Sequence, residues 1–190
     1  MNVCVFGASS TQIDTKYITA TEQLGAMLAE SGHKLVYGAG GSGLMGAVAR
    51  GMKSCGGHVT GEVPSFLKVD GILYEGCDEM VYTDTMRQRK QIMDERSDAF
   101  VVTPGGIGTY EEFFEIYTLK QLGRHHKPIV IFNIDGYFDK LLEMLSYTVE
   151  EKFMQPLCLE LYTVAISPEE VVAQLQKDDD ITSVEETKYV

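Results

Sequence analysis

Arg89 and Glu112 are the two side chains in this 190-residue sequence that folding alone explains least well. Arg89 lies in "TMRQRKQIMDER" (85–96), where Met86, Arg89, Lys90 and Met93 fall at i, i+3, i+4 and i+7 and so share one face of a helix. A solvated face is the plain account of the basic cluster Arg87, Arg89, Lys90 and Arg96. It serves Arg89 poorly, because an arginine set among thioethers needs an anion, from the protein or from a ligand. Glu112 ends "PGGIGTYEE" (104–112). Gly105, Gly106 and Gly108 let backbone N–H groups approach an anion. Thr109, opening a predicted helix, can cap it or offer its hydroxyl to a phosphate oxygen, and Glu112 stands at capping-box spacing from it. Mutual capping by Thr109 and Glu112 explains one glutamate but gives the glycines no purpose. Glu111 and Glu112 point about 100° apart on a helix, so they do not share a pocket, whereas Glu115 lies on the face of Glu112.

A second glycine-rich stretch, "VYGAGGSGLMG" (36–46), follows a predicted strand and opens a helix. Its glycines at 38, 40, 41 and 43 embed a GxGxxG pattern that reads either as an anion-binding turn or as a tight turn without a ligand. Glu62 stands about twenty residues on, but not in an obvious ribose-binding role. Ser9 and Ser10 follow the first strand without a GxSxG elbow, so a hydrolase triad is not expected. His33, His58, His125 and His126 form no HExxH and no ligand spacing, and neither a metal nor another cofactor is expected.

Strands are predicted at 2–6, 34–38, 57–64, 99–103, 127–133 and 159–165, with a short one near 79–82. Helices are predicted at 17–30, 43–56, 85–96, 109–122, 136–153 and 167–177. The continuous apolar runs of these strands suit parallel strands buried on both faces. Their alternation with helices predicts a Rossmann-like, doubly wound, mostly parallel sheet with helices on both faces. In such a sheet ligands sit beyond the carboxyl ends of the strands, so the turns after residues 6, 37 and 103 should share one edge. One domain is expected over 1–176, followed by an acidic tail, 177–190, that frays.

Twenty-eight acidic against 16 basic residues give a net charge of −12, which disfavours a nucleic-acid or anionic-membrane partner but leaves room for a small anionic ligand in a local pocket. Cys4, Cys55, Cys77 and Cys158 make no CxxC pair and read as free thiols of a reducing compartment. "MNVCVFGASS" reads as a first strand, not a signal peptide, and no apolar run reaches membrane-spanning length. A cytoplasmic protein is expected.

"YGAGGSGLMG" (37–46), "MRQRK" (86–90) and "PGGIGTYEE" (104–112) together resemble the signature stretches of the LONELY GUY (LOG) family, and the likeness extends over roughly residues 2–175. That resemblance implies a cytokinin riboside 5'-monophosphate phosphoribohydrolase, which cleaves the N-glycosidic bond of N6-modified adenosine monophosphates, and of AMP, to base and ribose 5-phosphate. It implies Arg89 and Glu112 as the catalytic pair. It also implies a phosphate cradle from Gly41, Gly43, Leu44, Met45, Gly46, Gly105, Gly106, Gly108 and Thr109, with Ser9 beside it. Met86 would line the base pocket, Lys90 flank the arginine and Glu111 support ribose or loop geometry. A homodimer in which each subunit completes the other's pocket is implied as well. Arg87 replaces the histidine common in the family, and Gly38-Ala39-Gly40-Gly41 replaces its usual glycine triplet. The alternatives are a broader AMP or pyrimidine nucleotide nucleosidase, a nucleotide-binding or carrier protein that does not cleave, and an NAD-dependent oxidoreductase. Amino-acid decarboxylation fits worst.

Overall fold

Side chains alternate across a β-strand, and here that alternation builds two cores on one sheet. In the computed structural model, which describes residues 1–68 and 71–177, the strands are β1 (Asn2–Phe6), β2 (Lys34–Tyr37), β3 (Val59–Pro64), β4 (Glu79–Thr83), β5 (Ala99–Val102), β6 (Ile129–Phe132) and β7 (Thr163–Ala165). The helices are α1 (Thr15–Glu30), α2 (Gly43–Ser54), α3 (Met86–Arg96), α4 (Ile107–Gln121), α5 (Asp139–Glu150) and α6 (Pro168–Leu175). Val3, Val5, Leu35, Tyr37, Ala99 and Val101 point to one face, where Leu24 and Leu28 of α1, Val48 and Met52 of α2 and Val171 of α6 cover them. Cys4, Phe6, Val36, Phe100 and Val102 point to the other, beneath Met93 of α3, Phe113 and Tyr117 of α4 and Leu141 of α5.

The sheet runs β4-β3-β2-β1-β5-β6-β7, and every neighbouring pair is parallel, which sharpens the expectation of a mostly parallel sheet. The chain winds outward from β1 to β4, then returns through α3 to β5 on the far side of β1. The loops leaving β1 and β5 therefore part in opposite directions. That is the switch point at which open α/β sheets form a crevice.

In two elements a 3-10 turn takes the place of the expected start. The strand expected at 159–165 is confined to Thr163–Ala165, because Pro156–Glu160 form a 3-10 turn held by the Tyr117 hydroxyl, which donates to the Cys158 carbonyl at 2.9 Å. The helix expected from 136 begins at Asp139, after a 3-10 turn at Ile134–Gly136. The α6 start is as expected: Pro168 takes the first position and the Ser167 hydroxyl accepts from the Glu170 amide at 3.2 Å. Among the described residues no helix is long and apolar enough to cross a membrane. Residues 178–190 of the expected acidic tail lie outside the described residues.

The α1–α2 pair packs at backbone distance. A Cβ on Gly51 would stand 1.9 Å from the Glu22 carbonyl oxygen, and one on Gly25 would stand 2.2 Å from that of Val48. Gly51→Ala should therefore force the helices apart and destabilise the protein by roughly 1–3 kcal/mol. The measurement is a urea titration, where the midpoint should fall with the slope unchanged.

Candidate active site

The crevice between β1 and β5 is an open cleft of about 340 Å³, a volume in the small-molecule range. Gly7, Ala8, Ser9 and Ser10 form one wall, Gly106, Gly108 and Thr109 the other, and Met45, Arg89 and Glu112 complete it. The Ala8 amide donates to the Pro104 carbonyl at 3.1 Å, so the two loops are tied together at the base.

The second glycine loop differs from its sequence-based description in one respect. The helix begins at Ile107, with Gly106 as its N-cap and no side-chain cap. Thr109 is thus the third helical residue, 4% exposed, and it neither caps the helix nor forms a capping box with Glu112. Its hydroxyl occupies the space beside Gly105, where a Cβ would lie 2.0 Å away. The Gly105 carbonyl accepts from the Tyr137 hydroxyl at 2.6 Å, a brace from 32 residues downstream that no local pattern announces. The amides of Ile107, Gly108 and Thr109 fall in the first turn, where α-helical geometry provides no acceptor within the helix. A bare helix N-terminus opening on a cleft is a seat for an anion.

The first glycine loop is used differently. The Gly41 amide donates to the Ile72 carbonyl at 2.8 Å, and the Leu44 and Met45 amides donate to the Ala8 carbonyl at 2.8 and 3.2 Å. Gly46 packs against Gly41, since a Cβ on it would stand 2.1 Å from the Gly41 carbonyl oxygen. Gly43, Leu44 and Gly46 are buried, and of the expected residues in this stretch only Met45 lines the cleft. The amides of Gly41, Leu44 and Met45 are thus engaged by protein carbonyls, and the latter two hold the Ala8–Ser10 wall in place.

Arg89 and Glu112 meet at the cleft floor. Nη2 of Arg89 donates to Oε1 of Glu112 at 2.7 Å, with side chains 10% and 11% exposed. Gly38 makes the approach possible, because a Cβ there would stand 2.6 Å from Nη2; its place among the loop glycines hid this role in the sequence. Burial pushes the Glu112 carboxyl above its ordinary range, and the Arg89 charge opposes that rise. Met86 is 38% exposed and lies outside the cleft lining, with its sulfur accepting from Nη1 of Arg89 at 3.8 Å.

Lys90 and Glu111 belong to a neighbouring cluster. Lys90 pairs with Glu111 and, at 2.7 Å, with Glu115. Burial lowers its proton affinity, but the two carboxylates outweigh that and leave it raised. Lys90, Glu112 and Glu115 border a second cavity of about 160 Å³ whose apolar lining includes Phe6, Phe100 and Ile116. Glu111 is on neither cavity, as its angle to Glu112 predicted. Among the described residues no group of three or more His, Cys, Asp or Glu is placed to hold a metal.

Comparison with known proteins gives a consistent family likeness. A family model described as "Possible lysine decarboxylase" matches residues 45–175. The chain is 41% identical over 175 residues to the probable cytokinin riboside 5'-monophosphate phosphoribohydrolase LOGL5 of Oryza sativa subsp. japonica, covering 92% of this chain and 71% of that protein. It is 40% identical over 185 residues to the cytokinin riboside 5'-monophosphate phosphoribohydrolase LOG7 of Arabidopsis thaliana, covering 95% and 85%. Among solved structures, the molybdenum cofactor binding protein of Rippkaea orientalis superposes with a TM-score of 0.67 at 23% identity over 90% of this chain and 91% of that one. The Moco carrier protein of Chlamydomonas reinhardtii does so with a TM-score of 0.68 at 22% identity, over 90% and 93%. At those identities the structural likeness shows the fold alone.

Arg89→Met should leave Glu112 buried without its main counter-charge, so desolvation, aided by Glu111 and opposed only by Lys90, would raise its proton affinity further. The folded variant then holds a proton where the unfolded chain, with an ordinary carboxyl near pKa ~4.3, has released it. Its stability must consequently fall as pH rises through that window. We expect a loss of roughly 3–5 kcal/mol at pH 8 and a smaller one at pH 5, measured by urea titration at both. Equal losses at the two pH values would contradict the pairing.

Proposed function

This chain belongs to the LOG family, and from that premise and the cleft geometry we propose that it hydrolyses the N-glycosidic bond of N6-modified adenosine 5'-monophosphates, and of AMP, to free base and ribose 5-phosphate. The observation that carries the residue assignments is the placement of an uncapped helix N-terminus and a buried carboxylate–guanidinium pair in one cleft.

The phosphate is assigned to the first-turn amides of α4, with the Ser9 and Thr109 hydroxyls beside it. This fixes the 5' end and converts binding energy into alignment of the sugar over Glu112. As the C1'–N9 bond lengthens, its electron pair goes to the base and positive charge develops on the ribose ring. The ionised Glu112 stabilises that charge from a largely water-excluded position. Water adds its oxygen to C1', and the proton it loses balances the departing base. Arg89 opposes the rise that burial imposes on the Glu112 carboxyl and so favours its charged form. A protein that only carried a nucleotide would gain nothing from burying a carboxylate beside an anion site. Amine chemistry on a decarboxylase pattern fits poorly, because it needs a lysine of lowered proton affinity and that of Lys90 is raised.

Two assembly-level features are part of the same reading. Ile107, between two cleft-lining glycines, is 84% exposed, and Met86 beside Arg89 is 38% exposed. A second copy of the chain that covered them would close the open side of the cleft and supply more of the base pocket, which supports a homodimer. Light scattering should then give twice the 21.1 kDa chain mass, and a monomer that is active at all dilutions would refute it. The four free cysteines fit a reducing cytoplasm.

Glu112→Gln keeps the shape of the side chain and removes its charge. It should lower kcat by about 10²-fold or more while KM stays within a few-fold and the fold is retained. Ribose 5-phosphate release, assayed with isopentenyladenosine monophosphate, AMP and CMP, checks both points. A rate on the first no greater than on the others would move the reading to a broader nucleosidase.

A further inference from the structure

Glu62 is a carboxylate with 0% exposure, and neither of its oxygens has a hydrogen-bond partner among the described residues. It lies on β3, where residues 60 and 62 alternate with the opposite-facing Val59 and so point to the α3 side of the sheet. The nearest cation is Arg96, whose Nε stands 3.7 Å from Oε1, but Arg96 is 40% exposed and donates from Nη1 to Glu79 at 2.9 Å. Arg89, Met93 and Arg96 stand at i, i+4 and i+7 of α3 and so share one face, and the buried Nε of Arg89 has no partner among the described residues either. A buried acceptor and a buried donor, both unmatched, thus lie under the same helix.

We propose that Glu62 is a positioning residue for the hydrolysis, a second buried counter-charge on the core side of Arg89 that keeps Glu112 from being this guanidinium's sole carboxylate. The inference rests on the hydrolase reading above. Its physical content is a charge count. A one-to-one pair of Arg89 and Glu112 presents only a dipole to a ribose that is becoming cationic. With Glu62 ionised as well, and Arg96 shared with Glu79, the floor of the cleft carries a net negative charge, which is what a developing cation requires. In the low-dielectric interior that extra charge acts over several ångströms with little screening.

The surrounding groups make Glu62 titratable in a useful range. Burial pushes its carboxyl up to about 7, Arg96 and Arg89 on α3 pull it down, and Glu79 on β4 pushes it up. On β1, the Cys4 thiol is raised by burial first and then by both Glu112 and Glu62, with Arg89 opposing, so all four groups share one field. Below about pH 7 Glu62 is protonated, and Arg89 then belongs to Glu112 alone.

The test compares wild type with Glu62→Gln, Glu62→Asp and, for a fold control, Glu62→Met. We expect Glu62→Gln to lower kcat about tenfold with KM for nucleotide nearly unchanged, and to lack a step near pH 7 that the wild-type kcat profile shows; Glu62→Asp should retain that step. A second readout needs no turnover. In a double-mutant cycle of Glu62→Gln with Arg89→Met, the unfolding equilibrium constants should depart from additivity by about fivefold at pH 8 and become additive at pH 5.5. Wild-type kcat in Glu62→Gln, or coupling found only with Arg96→Met and not with Arg89→Met, overturns the proposal. A wild-type protein that releases ribose 5-phosphate from no nucleotide overturns the hydrolase reading, and the proposal's catalytic role with it. The cycle then still decides whether Glu62 and Arg89 share a charge.

Discussion

The ion pair between Arg89 and Glu112 is what the rest of the cleft is arranged around. Two charged side chains, each about one-tenth exposed, must give up several kcal/mol of hydration apiece, and their attraction in the interior repays this only with good geometry. Two well-packed apolar residues could hold α3 against α4 as firmly at less cost. Stability therefore does not account for the pair, whereas the proposed role of Glu112 at the ribose gives it a reason. The accommodations around it point the same way. Gly38 gives up a side chain so that the guanidinium can reach its partner, and Met86 offers a soft acceptor to the opposite nitrogen.

That pair also fixes how the two glycine loops divide their work. Both follow a parallel strand and open a helix, and by pattern they look equivalent. The loop before α2 directs the amides of Leu44 and Met45 into the Ala8 carbonyl, so it scaffolds the wall opposite α4. The loop before α4 lacks a side-chain cap and keeps its helix end directed into the cleft. The second therefore presents the positive end of its helix at the cleft. Tyr137 supports it from behind by holding the Gly105 carbonyl, which keeps the loop braced without blocking its amides.

Much of this was legible in the chain. Apolar runs such as "NVCVF" and "AFVV" gave the buried strands, because strands covered on both faces leave a strong hydrophobic signal, and the glycine loops gave the sheet edge where they end. Arg89 stood out because it broke the apolar stripe of its helix, and Glu112 because capping by Thr109 left the glycines before it without a purpose. What could not be read are relations between distant segments. Gly38 and Arg89 are 51 residues apart in sequence, and nothing local says that one clears space for the other. The start of α4 was placed two residues late because Thr109 has the composition of a cap, yet tertiary packing against Gly105 put it inside the first turn. The Ile72 and Ala8 carbonyls that accept from the first loop's amides were hidden for a related reason: glycine composition shows that a backbone can be approached, not what approaches it.

The cleft is polarised along its length in a way that resolves an apparent conflict. A chain of net charge −12 repels an anionic ligand at long range, and a carboxylate in the site repels it at short range. Yet a nucleotide makes two opposite demands: its phosphate needs positive charge from the moment it binds, and its ribose needs negative charge only as the glycosidic bond breaks. Amide dipoles at the α4 terminus meet the first demand without adding a mobile cation that could neutralise Glu112. The Arg89 guanidinium beside Glu112 opposes the rise that burial imposes on this carboxyl and so favours its charged form. Exchanging the helix terminus for a lysine cluster would bind phosphate as well, but it would reduce the field that the departing base leaves the ribose to face. In the proposed reaction the glycines of one loop and the buried pair on two helices thus answer the two demands from within one cleft.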